Sequence, residues 1–245
     1  MTFLESARFL RSAHDLGDLP PAGPPEVAFA GRSNAGKSSA LNALARQPGL
    51  AHVSKTPGRT QLINFFRLAA GGLLVDLPGY GFARVPEALR RHWARVLSEY
   101  LQTRESLCGL VLVMDIRHPL TALDQAMLRW FRPAGSPILV LLAKADKLSR
   151  SAAQRTLHEV RGRLAEIAPM ASVQLFSALK RIGVEDADRT ISAWLGAVPA
   201  APAGPDTDVA MHASGELPSK DRRGSGRKNK KAPSQRGKLG AKRLK

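Results

Sequence analysis

Apolar residues gather along the chain in short runs of strand length, at 27–30, 62–68, 73–75, 110–114, 138–142 and 173–176. Between these runs the apolar positions fall three or four residues apart. Leu41 and Leu44 are one such set, and Leu89, Trp93, Val96, Leu97, Tyr100 and Leu101 another; 120–131, 149–168 and 183–195 follow, the last with Ile191, Trp194 and Leu195. The runs predict strands, and the wider spacing predicts helices with one buried face, Trp93 included in the core. The unbroken runs 110–114 and 138–142 read as strands covered on both sides. Ala69-Ala70-Gly71-Gly72 lies between two runs and predicts a hairpin. Alternation of strand and helix implies a three-layer α/β fold: a mostly parallel central sheet of about six strands, one antiparallel hairpin strand, and helices on both faces.

Residues 1–26 have no comparable periodicity and run into Leu19-Pro20-Pro21-Ala22-Gly23-Pro24-Pro25, so they read as an N-terminal extension. The domain proper is expected over 27–196. From 197 to 245 the chain reads as an Ala-, Pro- and Gly-rich linker and a basic tail. The formal charge of +17 is concentrated there: residues 220–245 hold 12 of the 37 Lys and Arg and 1 of the 20 Asp and Glu, a net +11. Such a segment buries too little apolar surface to offset its chain entropy and is expected to be disordered. It is either a solubilising tail or an arm for phosphate backbones, and the density of charge favours the arm. The single cysteine, Cys108, has no disulfide partner and reads as a small buried thiol in a reducing cytoplasm. No run approaches the roughly 18 apolar residues of a membrane span, and the N-terminus lacks a signal-peptide profile.

Candidate chemistry falls at the ends of the apolar runs. Gly31-Arg32-Ser33-Asn34-Ala35-Gly36-Lys37-Ser38 follows the first run and precedes a helical pattern, matching G-x-x-x-x-G-K-[ST]. Its glycines let backbone N–H groups close around phosphates, Lys37 supplies charge to the outer phosphates, and the Ser38 hydroxyl is a magnesium ligand. Asp76-Leu77-Pro78-Gly79 ends the run at 73–75, which would set the Asp76 carboxylate beside the magnesium water shell and the Gly79 N–H near the third phosphate. Ala143-Lys144-Ala145-Asp146 ends another run. Asp146 could accept two hydrogen bonds from a guanine edge, with the Lys144 stem across the ring. The last run ends at Phe176, counted with Ser177 and Ala178 among the nucleotide-binding residues, and Ser177-Ala178-Leu179 would close over the base through backbone N–H groups. Ligands of parallel sheets bind at the carboxyl ends of the strands, where all these segments fall.

With these motifs in place the chain resembles the EngB (YihA/YsxC) family of bacterial ribosome-biogenesis GTPases, which have a Ras-like P-loop fold. The resemblance spans roughly residues 3–196. It rests on 25–34, Thr56-Pro57-Gly58-Arg59-Thr60-Gln61 with Asn64-Phe65-Phe66, 76–83, Asp115-Ile116-Arg117-His118 with Asp124, and Phe176-Ser177-Ala178-Leu179-Lys180. It implies that Thr60 joins Ser38 at magnesium, with Gly58, Arg59, Thr60, Gln61 and Leu62 as first switch and 76–79 as second. Lys37, Thr60, Gly79 and Asn34 would carry hydrolysis of GTP to GDP. Ala143 replaces the Asn or Thr that usually ties the guanine loop to the phosphate loop. Tyr80 stands where many small GTPases have a water-orienting glutamine, so slow intrinsic turnover is expected. Asn34 resembles an asparagine that helps hold potassium in some bacterial GTPases, or it braces the loop. The implied partners are a precursor of the large ribosomal subunit and its rRNA, for a cytoplasmic monomer, with a role in cell division or septation also attached to the family. A nucleotide-dependent phosphotransferase and an RNA-binding scaffold stabilised by nucleotide are the other readings.

Overall fold

The computed structural model describes residues 3–51, 62–81 and 87–197. Gly58, Arg59, Thr60 and Gln61 of the expected first switch, and the basic tail, lie outside the described residues. The elements are β1 (Arg8–Ala13), β2 (Glu26–Gly31), α1 (Lys37–Leu44), β3 (Ile63–Arg67), β4 (Leu73–Asp76), α2 (Glu87–Thr103), β5 (Leu107–Asp115), α3 (Ala122–Phe131), β6 (Ile138–Ala143), α4 (Arg150–Ile167), β7 (Ala171–Leu175) and α5 (Val184–Ala197), with short 3-10 turns between some of them. One sheet runs in the order β1-β3-β4-β2-β5-β6-β7. β3 pairs antiparallel with both β1 and β4, and the remaining pairs are parallel.

The sheet therefore has seven strands where about six are expected, and the additional one lies in the N-terminal extension. Its sequence, Arg8 to Ala13, hides it for a physical reason. As an edge strand it buries only Ala13, carries Arg8 and Arg11, and loses register between Phe9 and Arg11. Charges and an irregular register protect an edge from further pairing, and they also erase the alternation by which a strand is recognised.

Side-chain alternation in the central strands divides the core in two. Ala28, Ala30, Val75, Leu110, Leu112, Val140 and Leu142 face Trp93, Val96, Tyr100, Met127, Phe131, Val160 and Leu164 from α2, α3 and α4. Val27, Phe29, Leu74, Val111, Val113, Leu139 and Leu141 face Leu41 and Leu44 of α1 and Ala187, Ile191 and Leu195 of α5. No helix among the described residues is long and apolar enough to cross a membrane.

At the amino end of β2, away from the predicted site, the fully buried Glu26 carboxylate accepts from Arg104 Nε at 3.0 Å, Tyr100 Oη at 2.8 Å and Ser106 Oγ at 2.9 Å. A charge this deep is tolerable only with such partners. Cys108 is half-buried rather than buried: it packs against the edge of the core while its Sγ donates to the Glu26 carbonyl at 3.1 Å. Burial pushes its thiol up to about 11, with the Glu26 charge contributing.

Candidate nucleotide site

The phosphate loop is held by conformations that its sequence permits. Gly31 closes β2, and a Cβ there would lie 2.7 Å from the Val113 carbonyl oxygen, so the strand can approach β5 only without a side chain. Gly36 takes φ 112° just before α1, and Asn34 is also left-handed at φ 63°. α1 begins at Lys37 with no side-chain cap and no acidic residue in its first turn. Gly36 brings no side chain to the leading N–H groups of α1, which suits an anion. Lys37, itself buried, pairs with the buried Asp76 carboxylate at the end of β4. Ser38 and Asp76 offer the hard oxygens that magnesium takes, and bound magnesium would neutralise phosphate charge; Thr60, their expected companion, is outside the described residues.

The second-switch segment runs along this loop. Leu77 N–H donates to the Phe29 carbonyl at 3.0 Å, Tyr80 N–H to the Gly31 carbonyl at 3.3 Å, and Ser33 N–H to the Tyr80 carbonyl at 2.9 Å. Leu77 and Pro78 are buried, and Gly79 lies against the Ser33 backbone. The Tyr80 side chain is engaged elsewhere in the fold: its hydroxyl donates to Asp124 Oδ1 at 2.8 Å. Burial, then the Asp124 charge, pushes the phenol well above its ordinary value, so it stays a protonated donor. The other Asp124 oxygen accepts from Thr121 N–H at 2.9 Å and Thr121 Oγ1 at 2.7 Å, capping α3. Asp124 thus links α3 to Tyr80, in the segment that runs along the phosphate loop. Asp124 is legible in the sequence through the family resemblance, and the Thr121-x-x-Asp124 spacing is that of a helix cap; its bond to Tyr80 is set by the fold alone.

At the other end, Lys144 adopts φ 61° after β6 and reaches back, its Nζ donating to the Asn34 carbonyl at 2.6 Å and to Asp115 Oδ2 at 2.9 Å. Ala143 is buried, and a Cβ on Gly36 would meet its methyl group at 3.5 Å. The tie between guanine loop and phosphate loop therefore comes from the Lys144 ammonium, while residue 143 supplies only close packing. Burial raises the pKa of Asp115, but hydrogen bonds from Arg117 and Lys144 outweigh it and hold the carboxyl well below the usual range. Asp146 Oδ1 accepts from Ser177 Oγ at 2.5 Å, and Ala145 N–H donates to the Phe176 carbonyl at 3.0 Å. Ser177 is buried and Ala178 half-buried beside this turn. The loops after β2, β4, β6 and β7 thus meet along one edge of the sheet. Arg32 and Ala35 belong to the same loop, Arg32 bridging to Tyr80 and Ala35 buried; Leu62 is exposed just before β3.

Comparison with known proteins agrees with this geometry. A family profile described as 50S ribosome-binding GTPase matches residues 26–144. The chain is 59% identical over 196 residues to the probable GTP-binding protein EngB of Aromatoleum aromaticum, covering 80% of this chain and 91% of that one. It is 60% identical over 195 residues to the corresponding protein of Methylobacillus flagellatus, covering 80% and 94%. Among solved structures, a probable EngB GTP-binding protein superposes with a TM-score of 0.56 at 22% identity, over 71% of this chain and all of that one. A variant of Era from Aquifex aeolicus, bound to GDP and aluminium fluoride, gives 0.58 at 20% identity, over 78% of this chain and 62% of that one. These two likenesses concern the fold, whereas the sequence relatives are close and nearly full-length. With these relatives, the chain is a GTPase and belongs to the EngB family of GTP-binding proteins.

Proposed function

We propose that this GTPase is a slow switch that acts in assembly of the large ribosomal subunit. The observation that carries the reading is the run of backbone bonds joining 77–80 to the phosphate loop, because any change at the third phosphate is felt directly by the second switch. With GTP and magnesium bound, Thr60 and Gly79 are drawn onto the third phosphate and order both switches; after hydrolysis they relax. The description of the matching family profile supports the large subunit as partner. Phosphoryl transfer needs positioning and charge stabilisation more than covalent help. Tyr80, engaged with Asp124, supplies no amide to orient water, which favours slow turnover until a partner completes the site. The exposed Asn34 side chain is a neutral oxygen donor at the phosphate loop suited to potassium, the cation that would supply the missing positive charge. Ribosomal RNA is met by the basic tail and by exposed cations such as Arg91. The protein works as a cytoplasmic monomer, and a role in cell division or septation is attached to it by family resemblance alone.

Co-sedimentation with purified large-subunit particles tests the switch and its partner together. Binding is expected with a non-hydrolysable GTP analogue and to fall with GDP or without nucleotide. Equal binding in all three conditions would indicate a nucleotide-stabilised scaffold instead.

A further inference from the structure

A second cluster of ligating groups lies away from the nucleotide loops, where β1 ends beside α2. We propose that His14, Asp15 and His92 form a site for one transition-metal cation of the zinc class. Each offers one ligand atom, and the three atoms lie within 4.8 Å of one another. His14 directly follows β1, Asp15 precedes the 3-10 turn Leu16–Asp18, and His92 projects from α2. The loop is set by Asp18, whose carboxylate accepts the backbone N–H groups of His14 and Asp15, each at 3.2 Å.

The Asp15 carboxylate stands between the imidazoles, with Oδ2 3.0 Å from His14 Nδ1 and Oδ1 3.5 Å from His92 Nε2. His92 Nε2 is shielded from solvent yet has no hydrogen-bond partner among the described residues, and at 3.5 Å it faces the Asp15 carboxylate without a directed bond. The two rings stack at 5.0 Å, and Trp93 meets both edge-on at 5.5 and 5.3 Å, which limits their freedom before any ion arrives. His14 and Asp15 are each about half exposed, leaving an entry path and room for a water as fourth ligand.

The donor set fixes the class of ion. Two imidazole nitrogens and one carboxylate suit zinc, cobalt, nickel or copper, whereas magnesium and calcium prefer oxygen alone. The site is thus chemically distinct from Ser38 and Asp76. Arg95, whose charge acts on Asp15, opposes a dication and keeps the affinity moderate. A bound ion would join α2, the helix after the second switch, to the edge strand β1, and would stabilise the folded chain by mass action.

The test is a cobalt titration of the untagged full chain in excess magnesium and GDP, which occupy the oxygen site. One saturable equivalent with the visible d–d absorption of four-coordinate cobalt is expected, displaced by zinc. D15N and H92A should each weaken it by about tenfold or more, and H158A, an exposed histidine on α4, should leave it unchanged. D15N alters an exposed loop side chain without changing its volume, so it decides the matter with H14A should H92A not fold. A raised melting temperature with zinc in the parent chain, absent in D15N, is the second expected readout. No saturable equivalent, or one that survives both D15N and H14A, would show these residues to be an ordinary surface hydrogen-bond cluster.

Discussion

On the proposed reading Asp146 carries the base specificity, and its carboxylate is held in place. Ser177 orients it from one side, its side chain is only 12% exposed, and it offers acceptors alone. Guanine presents two N–H donors to such a group. Asp146→Asn replaces one acceptor by a donor, which opposes the guanine 2-amino group and matches the 2-oxo group of xanthine. Guanine nucleotide affinity is therefore expected to fall by about ten- to hundredfold, and xanthine nucleotide affinity to rise, in a fluorescent-nucleotide titration. Unchanged guanine binding would remove Asp146 from the base. The placement of Asp146, Lys37 and Asp76 beyond or at strand ends was legible in the sequence, because the phosphate-loop and strand-end motifs fix residue type and spacing there. The Lys144 bond to Asn34 and the Tyr80 bond to Asp124 were not, since each joins side chains 110 and 44 residues from their partners, and only the fold sets that distance.

Elements are placed by contacts as specific as those of the site. α5 lies on β5 through Trp194, whose indole occupies the space above Gly109: a Cβ there would lie 2.4 Å from the ring. Neither residue can change alone. Gly109→Ala is expected to destabilise the domain by about 1–3 kcal/mol in urea unfolding, through overpacking. Trp194→Ala removes the obstacle and leaves a cavity, so the double variant should lose less than the sum of the two single losses. Additive losses would mean that the ring and the glycine do not meet. The same dependence on context separates legible from illegible elements. β5 and β6 are continuous apolar runs because both faces are covered, so their sequence announces them. β1 buries one residue and keeps its arginines in solvent, and only pairing with β3 makes it a strand.

At the scale of the whole molecule, charge and chemistry are separated along the chain. The motifs of the nucleotide site lie between residues 31 and 178, while residues 220–245 carry a net charge of +11. If that segment engages phosphates, deleting it spares GTP binding and flattens the salt dependence of subunit binding, by about 0.7–0.9 in log–log slope for each phosphate no longer neutralised. An unchanged slope would leave the tail a solubilising one. The central claim, a guanine switch whose hydrolysis waits for its partner, is tested most directly by single-turnover GTP hydrolysis in potassium buffer, with and without purified large subunits. Turnover is expected to be slow alone and about tenfold faster or more with the particle. Rapid hydrolysis by the isolated protein, or a rate indifferent to the particle, would contradict it.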